Sequence, residues 1–226
     1  MTAKYQCPNS RSHRGVLGFT LIELLVVVAV VGILAGLLLP ALVRAKDKGK
    51  TAACSSNLRQ LVFASLMYEE DNKVFPIGWN PPPFVAIWYR QLQPYVGRKA
   101  TESGGGVFIC PSSPQGGFWG YLGYAQNKEI NLGREDIGLR QVQDQVNTIM
   151  FADTDGWDAC LYADTDSTAN VLYRHSGGNE WSAKAVRMSR RPTQRIVFGR
   201  ANAVFIDGHG ELIGSAPNRV FTLKRD

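Results

Sequence analysis

Residues 18–43 read GFTLIELLVVVAVVGILAGLLLPALV. From Leu24 to Leu39 there is no charge and no strong polar group, and the run continues to Val43 with only Pro40 intervening. At ~1.5 Å per residue, a helix over Leu24–Val43 would be ~30 Å long, the thickness of the hydrocarbon layer of a bilayer. A core helix of a soluble protein is seldom apolar on every face. A secretory signal would be shorter and would end at a small-x-small cleavage site. The one carboxylate, Glu23, stands just inside the leading edge of the run. An ionised acid costs ~2.5–3.5 kcal/mol at the centre of a span and less near its edge, so it is normally paired or solvated. No base lies within two helical turns of Glu23. A cut between Gly18 and Phe19 would create an α-amino group four residues away, and a helix N-terminus also favours negative charge. Solvation at headgroup depth is the competing reading.

Beyond the apolar run, RAKDKGKTAACSSNLRQLVFASLMYEEDN keeps helical spacing. Cys54, Leu58, Leu61, Val62 and Leu66 fall on one stripe. We therefore expect one long helix from about Phe19 to Asp71, apolar all round in its first half and amphipathic in its second. Pro40 lacks an N–H and crowds the preceding turn, so it should bend that helix. Bases flank the apolar run on both sides, so charge alone does not set its orientation.

The stretch GFTLIELLVVVAVVGILAGLLLPAL closely resembles the N-terminus of type IV pilins and of the pseudopilins of type II secretion systems. The resemblance implies that a prepilin peptidase cuts after Gly18 and methylates the new N-terminal Phe19. It implies that Glu23 is the acid that pairs with the terminal amine of a neighbouring subunit, and that Pro40 is the helix-bending proline. It further implies a leader over residues 1–18, an assembly and transmembrane helix over 19–43, its amphipathic continuation over 44–72 and a globular head over 73–226. The leader stays cytoplasmic, the anchor crosses the inner membrane, and the head is periplasmic. The implied partners are the peptidase, other pilin or pseudopilin subunits and an inner-membrane assembly platform.

Apolar content of 45% and charged content of 19% are ordinary for a folded chain. The net charge is +6, but residues 1–18 carry Lys4, Arg11 and Arg14 and no acid, leaving +3 on the rest. That is too mild to point to nucleic acid. Among Cys7, Cys54, Cys110 and Cys160 there is no C-x-x-C pair. Three lie downstream of the apolar run, so one disulfide and one thiol is the simplest count in an oxidising compartment. Cys54–Cys110 is the pair we expect, although sequence does not fix connectivity.

The head reads as a small antiparallel β-sheet packed on the second half of the helix, making the fold class α+β. Strands are expected at Val107–Cys110, Asn147–Ala152, Asn170–Arg174, Arg195–Phe198, Ala203–Ile206 and Glu211–Ile213. FIDGHGELI reads as a hairpin with Asp207-Gly208 in its turn. The pieces CSSNLRQLVFASLMYEEDN, FICPSS, YLGYAQN, IMFADTD, RHSGG and ANAVFIDGHGEL resemble a pilin-like branch with a His…Asp-Gly tail. That resemblance marks His175, Asp207 and Gly208, which the branch keeps close together. Here 31 residues intervene between His175 and Asp207, consistent with an insertion.

Other clusters have a chemical and a bland reading. ADTDGWDACLYADTD offers Asp153, Asp155 and Asp158 as calcium ligands, as in related major pseudopilins, or as solvated turn residues. Trp157 and Asp158 break the calcium-hand pattern. No other cofactor is implied. His175 and His209 have no G-x-S-x-G nucleophile to serve, so a structural histidine bonded in a turn is the reading adopted and no enzyme is expected. Arg187, Arg190, Arg191, Arg195 and Arg200 read as a solvated face rather than a polymer-binding one. Trp79, Phe84, Trp88, Tyr89 and Tyr95 read as head core rather than a binding platform. The expected function is a structural filament subunit; the rival from another class is a membrane-tethered module that captures a polymer with its head.

Overall fold

The apolar run and the amphipathic stripe form a single helix, α1 (Leu21–Asn72), which continues through Pro40. The computed structural model describes residues 20–77, 88–97, 106–112, 123–131, 137–154, 160–161, 171–176 and 199–223. The chain divides into two units, Met1–Arg44 and Ala45–Asp226, the division falling inside α1.

In the first unit, the described residues are exposed on every face of the helix, Leu21 through Val43 included. No water-soluble surface is apolar all round over such a length. This half of α1 is long and apolar enough to cross a bilayer.

The second unit is built on a five-stranded sheet of order β3-β1-β2-β4-β5, with β1 (Tyr124–Asn127), β2 (Ile149–Asp153), β3 (Cys160–Leu161), β4 (Ala201–Phe205) and β5 (Gly210–Ile213). The pairs β1–β2, β2–β4 and β4–β5 are antiparallel, whereas β3 joins β1 in parallel. The sheet is thus mixed rather than purely antiparallel, because β3 is reached by a crossover rather than a hairpin. Its strands separate two cores. One face carries Tyr124, Met150, Phe151 and Val204 against Cys54, Leu58, Leu61 and Val62 of α1 and against Trp88 of the short helix α2 (Trp88–Leu92). The other carries Ala125, Ile149, Ala152, Ala203 and Phe205 with Tyr173, Ile213 and Phe221. Adjacent residues Met150 and Phe151 share a face because a bulge between Ile149 and Phe151 breaks the period of two. Trp88 anchors the first core, its ring centroid 4.9 Å from that of Phe151. Tyr89 and Tyr95 are partly buried against that core, while Trp79 and Phe84 lie outside the described residues.

Two expected strands come out differently. Val107–Cys110 is not extended: Gly106–Phe108 forms a 3-10 turn. An apolar run of only four residues fits a strand and a helical turn equally. Of Asn170–Arg174, the described residues 171–174 hold only the isolated bridge Thr154↔Val171, and His175 just beyond bridges to Arg200. Arg195–Phe198 lies outside the described residues. The hairpin β4–β5 turns through Asp207 and Gly208, with Gly208 at φ +92°, a conformation that favours a residue without Cβ. Asp207 Oδ1 accepts from His209 N at 3.0 Å and so braces the turn.

Candidate functional site

At the start of α1, Thr20 is the residue that precedes the first helical turn and Glu23 lies three positions on. Thr20 N and Thr20 Oγ1 donate to Glu23 Oε2 at 2.9 and 2.8 Å, and Glu23 N lies 3.3 Å from Thr20 Oγ1. This reciprocal pattern is a capping box: the threonine hydroxyl serves an orphan helix N–H and the acid reaches back to the cap. Glu23 therefore has a local role that the charge argument overlooked. The signal was legible as T-x-x-E ahead of an apolar run. Among the described residues no Lys or Arg pairs with Glu23, so its charge is met by dipoles alone. Gly18 and Phe19 lie outside the described residues.

In the head, Cys54 of α1 and Cys110 are joined by a disulfide across a sequence separation of 56. Both are fully buried, as are Asp153 and His175 beside them. His175 Nε2 lies 3.1 Å from Asp153 Oδ2 and 3.6 Å from Cys110 Sγ. On the other edge of the ring, Nδ1 lies 3.0 Å from Thr51 Oγ1. Thr51 Oγ1 donates its single proton to the Asp47 carbonyl at 2.9 Å. It therefore accepts from His175 Nδ1–H, which fixes one nitrogen of the ring as a donor. Asp153 Oδ2 also accepts from Asn202 N at 2.7 Å, while Oδ1 is buried without a hydrogen-bond partner among the described residues.

Two backbone features and one side chain hold this arrangement. His175 N and Arg200 O, and Arg200 N and His175 O, pair at 2.8 and 2.7 Å. Gly123 accepts a close approach by Cys110: a Cβ on Gly123 would come within 2.4 Å of Cys110 N. Tyr124 donates weakly to the Cys54 carbonyl at 3.4 Å. Burial, and then the charge of Asp153, push its phenol well above the usual tyrosine range.

His175 is thus a core residue on a β-bridge and not a turn histidine, because its neighbours Leu172 and Tyr173 carry it inside. It does not meet Asp207. That carboxylate faces its own neighbour His209, whose Nδ1 lies 2.6 Å away, and His209 stacks on Phe205 at 4.2 Å. Asp153 is committed to the core rather than to an open calcium loop, and Asp155 and Asp158 lie outside the described residues. So do Arg187, Arg190, Arg191 and Arg195; Arg200 is exposed and donates to the Leu212 carbonyl. Thr51 and Asn202, which orient the ring and the carboxylate, had no local signal in sequence.

Comparison with known proteins finds both a family model and curated relatives. Residues 13–39 match the model of the prokaryotic N-terminal methylation motif. The chain is 42% identical over 115 residues, or 51% of its length, to the type II secretion system core protein G of Klebsiella michiganensis, covering 79% of that protein. It is 39% identical over 59 residues, or 26% of its length, to the core protein G of Pseudomonas aeruginosa. It is also 39% identical over 62 residues, or 27% of its length, to the type IV wide pilus major component PilA4 of Thermus thermophilus. The chain spans less than half the length of these last two, 42% and 47% respectively. No solved structure matches it. With a methylation motif over the start of an all-round apolar helix, and an alignment covering most of a core protein G, the chain belongs to the family of type IV pilins and type II secretion pseudopilins.

Proposed function

We propose that the chain is a structural filament subunit that is made as a precursor, cut after Gly18, methylated on Phe19 and packed through the first half of α1 into a type II secretion pseudopilus or a type IV pilus-like filament. The observation that carries this reading is Glu23: an acid at the mouth of an apolar helix, capped by Thr20 and paired with no base among the described residues. A lone negative charge there is tolerable at headgroup depth and costly in a helix bundle. Pairing with the terminal amine of an adjacent Phe19 removes that cost in one register only. The head faces the periplasm, where a disulfide persists. The prepilin peptidase, sibling subunits and an inner-membrane platform are the partners this route requires. The role is mechanical rather than catalytic.

The test is the mass of the protein recovered from membranes of cells with an active prepilin peptidase. The expected terminus is N-methyl-Phe19. Retention of residues 1–18 would overturn the reading.

A further inference from the structure

We propose that the buried cluster of Cys54, Cys110, Asp153 and His175 is a switchable centre: a disulfide when oxidised, and a tetrahedral site for a zinc-type divalent cation when the two thiols are free. This site is independent of the assembly role of α1.

One donor atom from each of the four residues lies within 4.8 Å of every other. The four come from α1, the segment after the 3-10 turn, β2 and the bridge to Arg200, so no local motif brings them together. A disulfide in an apolar core needs no carboxylate or imidazole beside it, and burying that pair is costly unless it serves something. Yet Asp153 and His175 are both buried here, and Asp153 keeps one oxygen without a hydrogen-bond partner among the described residues.

The geometry fits a metal more closely than a disulfide requires. With Zn–N and Zn–O of ~2.0 Å and Zn–S of ~2.3 Å, a tetrahedral site has edges of ~3.3 Å for N–O, ~3.5 Å for N–S and ~3.8 Å for S–S. His175 Nε2 already stands 3.1 Å from Asp153 Oδ2 and 3.6 Å from Cys110 Sγ. The S–S edge, 2.06 Å in the disulfide, must open, and the remaining edges lie within 4.8 Å. The outer ring of contacts is also in place. Thr51 takes the proton of Nδ1, which leaves Nε2 as the ligating nitrogen, and Asn202 N orients the carboxylate.

A dithiol reductant converts the disulfide to two thiols and is itself oxidised to a cyclic disulfide. The cation then displaces the two thiol protons and takes the Nε2 lone pair and the Asp153 carboxylate as its other donors. The centre then carries two thiolates, a carboxylate and a neutral imidazole on a doubly positive ion. Buried Arg174, whose guanidinium donates to the Thr154 carbonyl and acts on Tyr124 alongside Asp153, offsets the residual negative charge.

The experiment uses the full chain purified in detergent, reduced with a dithiol, freed of reductant without air and titrated with Co²⁺ as a spectroscopic stand-in and then with Zn²⁺. One equivalent of Co²⁺ should give the intense visible bands of a tetrahedral thiolate site, with Zn²⁺ displacing it and protons released. The oxidised chain should bind none. Asp153→Asn and His175→Gln should each weaken binding ~100-fold or more, and Thr51→Val by ~10-fold. Cys160→Ser should leave it unchanged. Thermal unfolding of the reduced chain with and without Zn²⁺ covers any variant that folds poorly, since a ligand of the native state must raise the melting temperature. A reduced chain that takes up no cobalt and gains no thermal stability from zinc would overturn the proposal. So would cobalt binding unaffected by Asp153→Asn and His175→Gln.

Discussion

Thr20 and Glu23 hold each other at the mouth of α1, with the Thr20 amide and hydroxyl both donating to one Glu23 oxygen at 2.9 and 2.8 Å. The acid that a neighbouring amine would claim in a filament is therefore already employed within its own chain. Local capping and assembly make different demands on the same side chain. Capping needs an acceptor; pairing with an amine in a helix bundle needs a charge.

Glu23→Gln separates the two demands. The amide oxygen still accepts from Thr20, so membrane levels of the subunit should match wild type. Recovery in sheared filaments should fall at least ~10-fold, because ~1.4 kcal/mol of lost pairing is already a factor of ten. Thr20→Ala should act the other way, costing about 1 kcal/mol of helix capping while leaving incorporation largely intact. Immunoblots of membrane and filament fractions read both.

The Cys54–Cys110 link closes a loop of 56 residues, and by the chain-entropy estimate its loss removes about 4 kcal/mol from the head. That is a large part of the 5–15 kcal/mol typical of a domain. Cys54→Ser and Cys110→Ser should each lower the melting temperature by a similar amount in chelator-containing buffer, and reductant should have no further effect on either. Calorimetry with and without reductant checks this.

Gly123 has a packing role that its place in YLGYAQN does not advertise. A methyl group there would lie 2.4 Å from the Cys110 amide nitrogen, and backbone cannot yield as a side-chain tip can. Gly123→Ala should cost about 2–3 kcal/mol of overpacking and displace Cys110 from His175. Denaturant unfolding gives the energy. The rate of disulfide reduction reports the displacement and should rise.

How far the sequence could be read follows the range of the interactions. α1 was legible because its signals are local: an unbroken apolar run, then Cys54, Leu58, Leu61 and Val62 on one stripe. Strands β2, β4 and β5 were legible as short apolar runs near Gly-rich turns. Strand β1 was not, because half of it is polar. Asn127 is drawn into the sheet by side-chain bonds to the carbonyls of Ile149 and Phe221, which lie far away in sequence. The cluster around His175 was hidden for the same reason. Thr51, Cys110 and Asp153 have no common spacing, and only tertiary packing brings them to one imidazole, with Asn202 bonded to Asp153 behind it.

Tyr124 ties that cluster to pH. Its phenol is fully buried, and burial together with the charge of Asp153 raises its pKa far above the value of ~10 it has in the unfolded chain. The native state therefore holds this proton where the unfolded chain has lost it. The resulting stability is complete below pH ~10 and declines as pH rises further, by up to ~1.4 kcal/mol per pH unit. Tyr95, raised first by its hydrogen bond to Asp71 and then by desolvation, adds to the same alkaline limb, as does Tyr68 through burial. Tyr124→Phe should make the limb shallower without abolishing it. At neutral pH the variant loses only the long bonds from Asn57 and to the Cys54 carbonyl, both 3.4 Å, at a cost of about 0.5–1.5 kcal/mol. The wild-type and variant stability curves, measured by denaturant unfolding between neutral pH and the alkaline limb, should therefore converge as pH rises. Parallel curves would mean that Tyr124 ionises in the folded head as readily as in water.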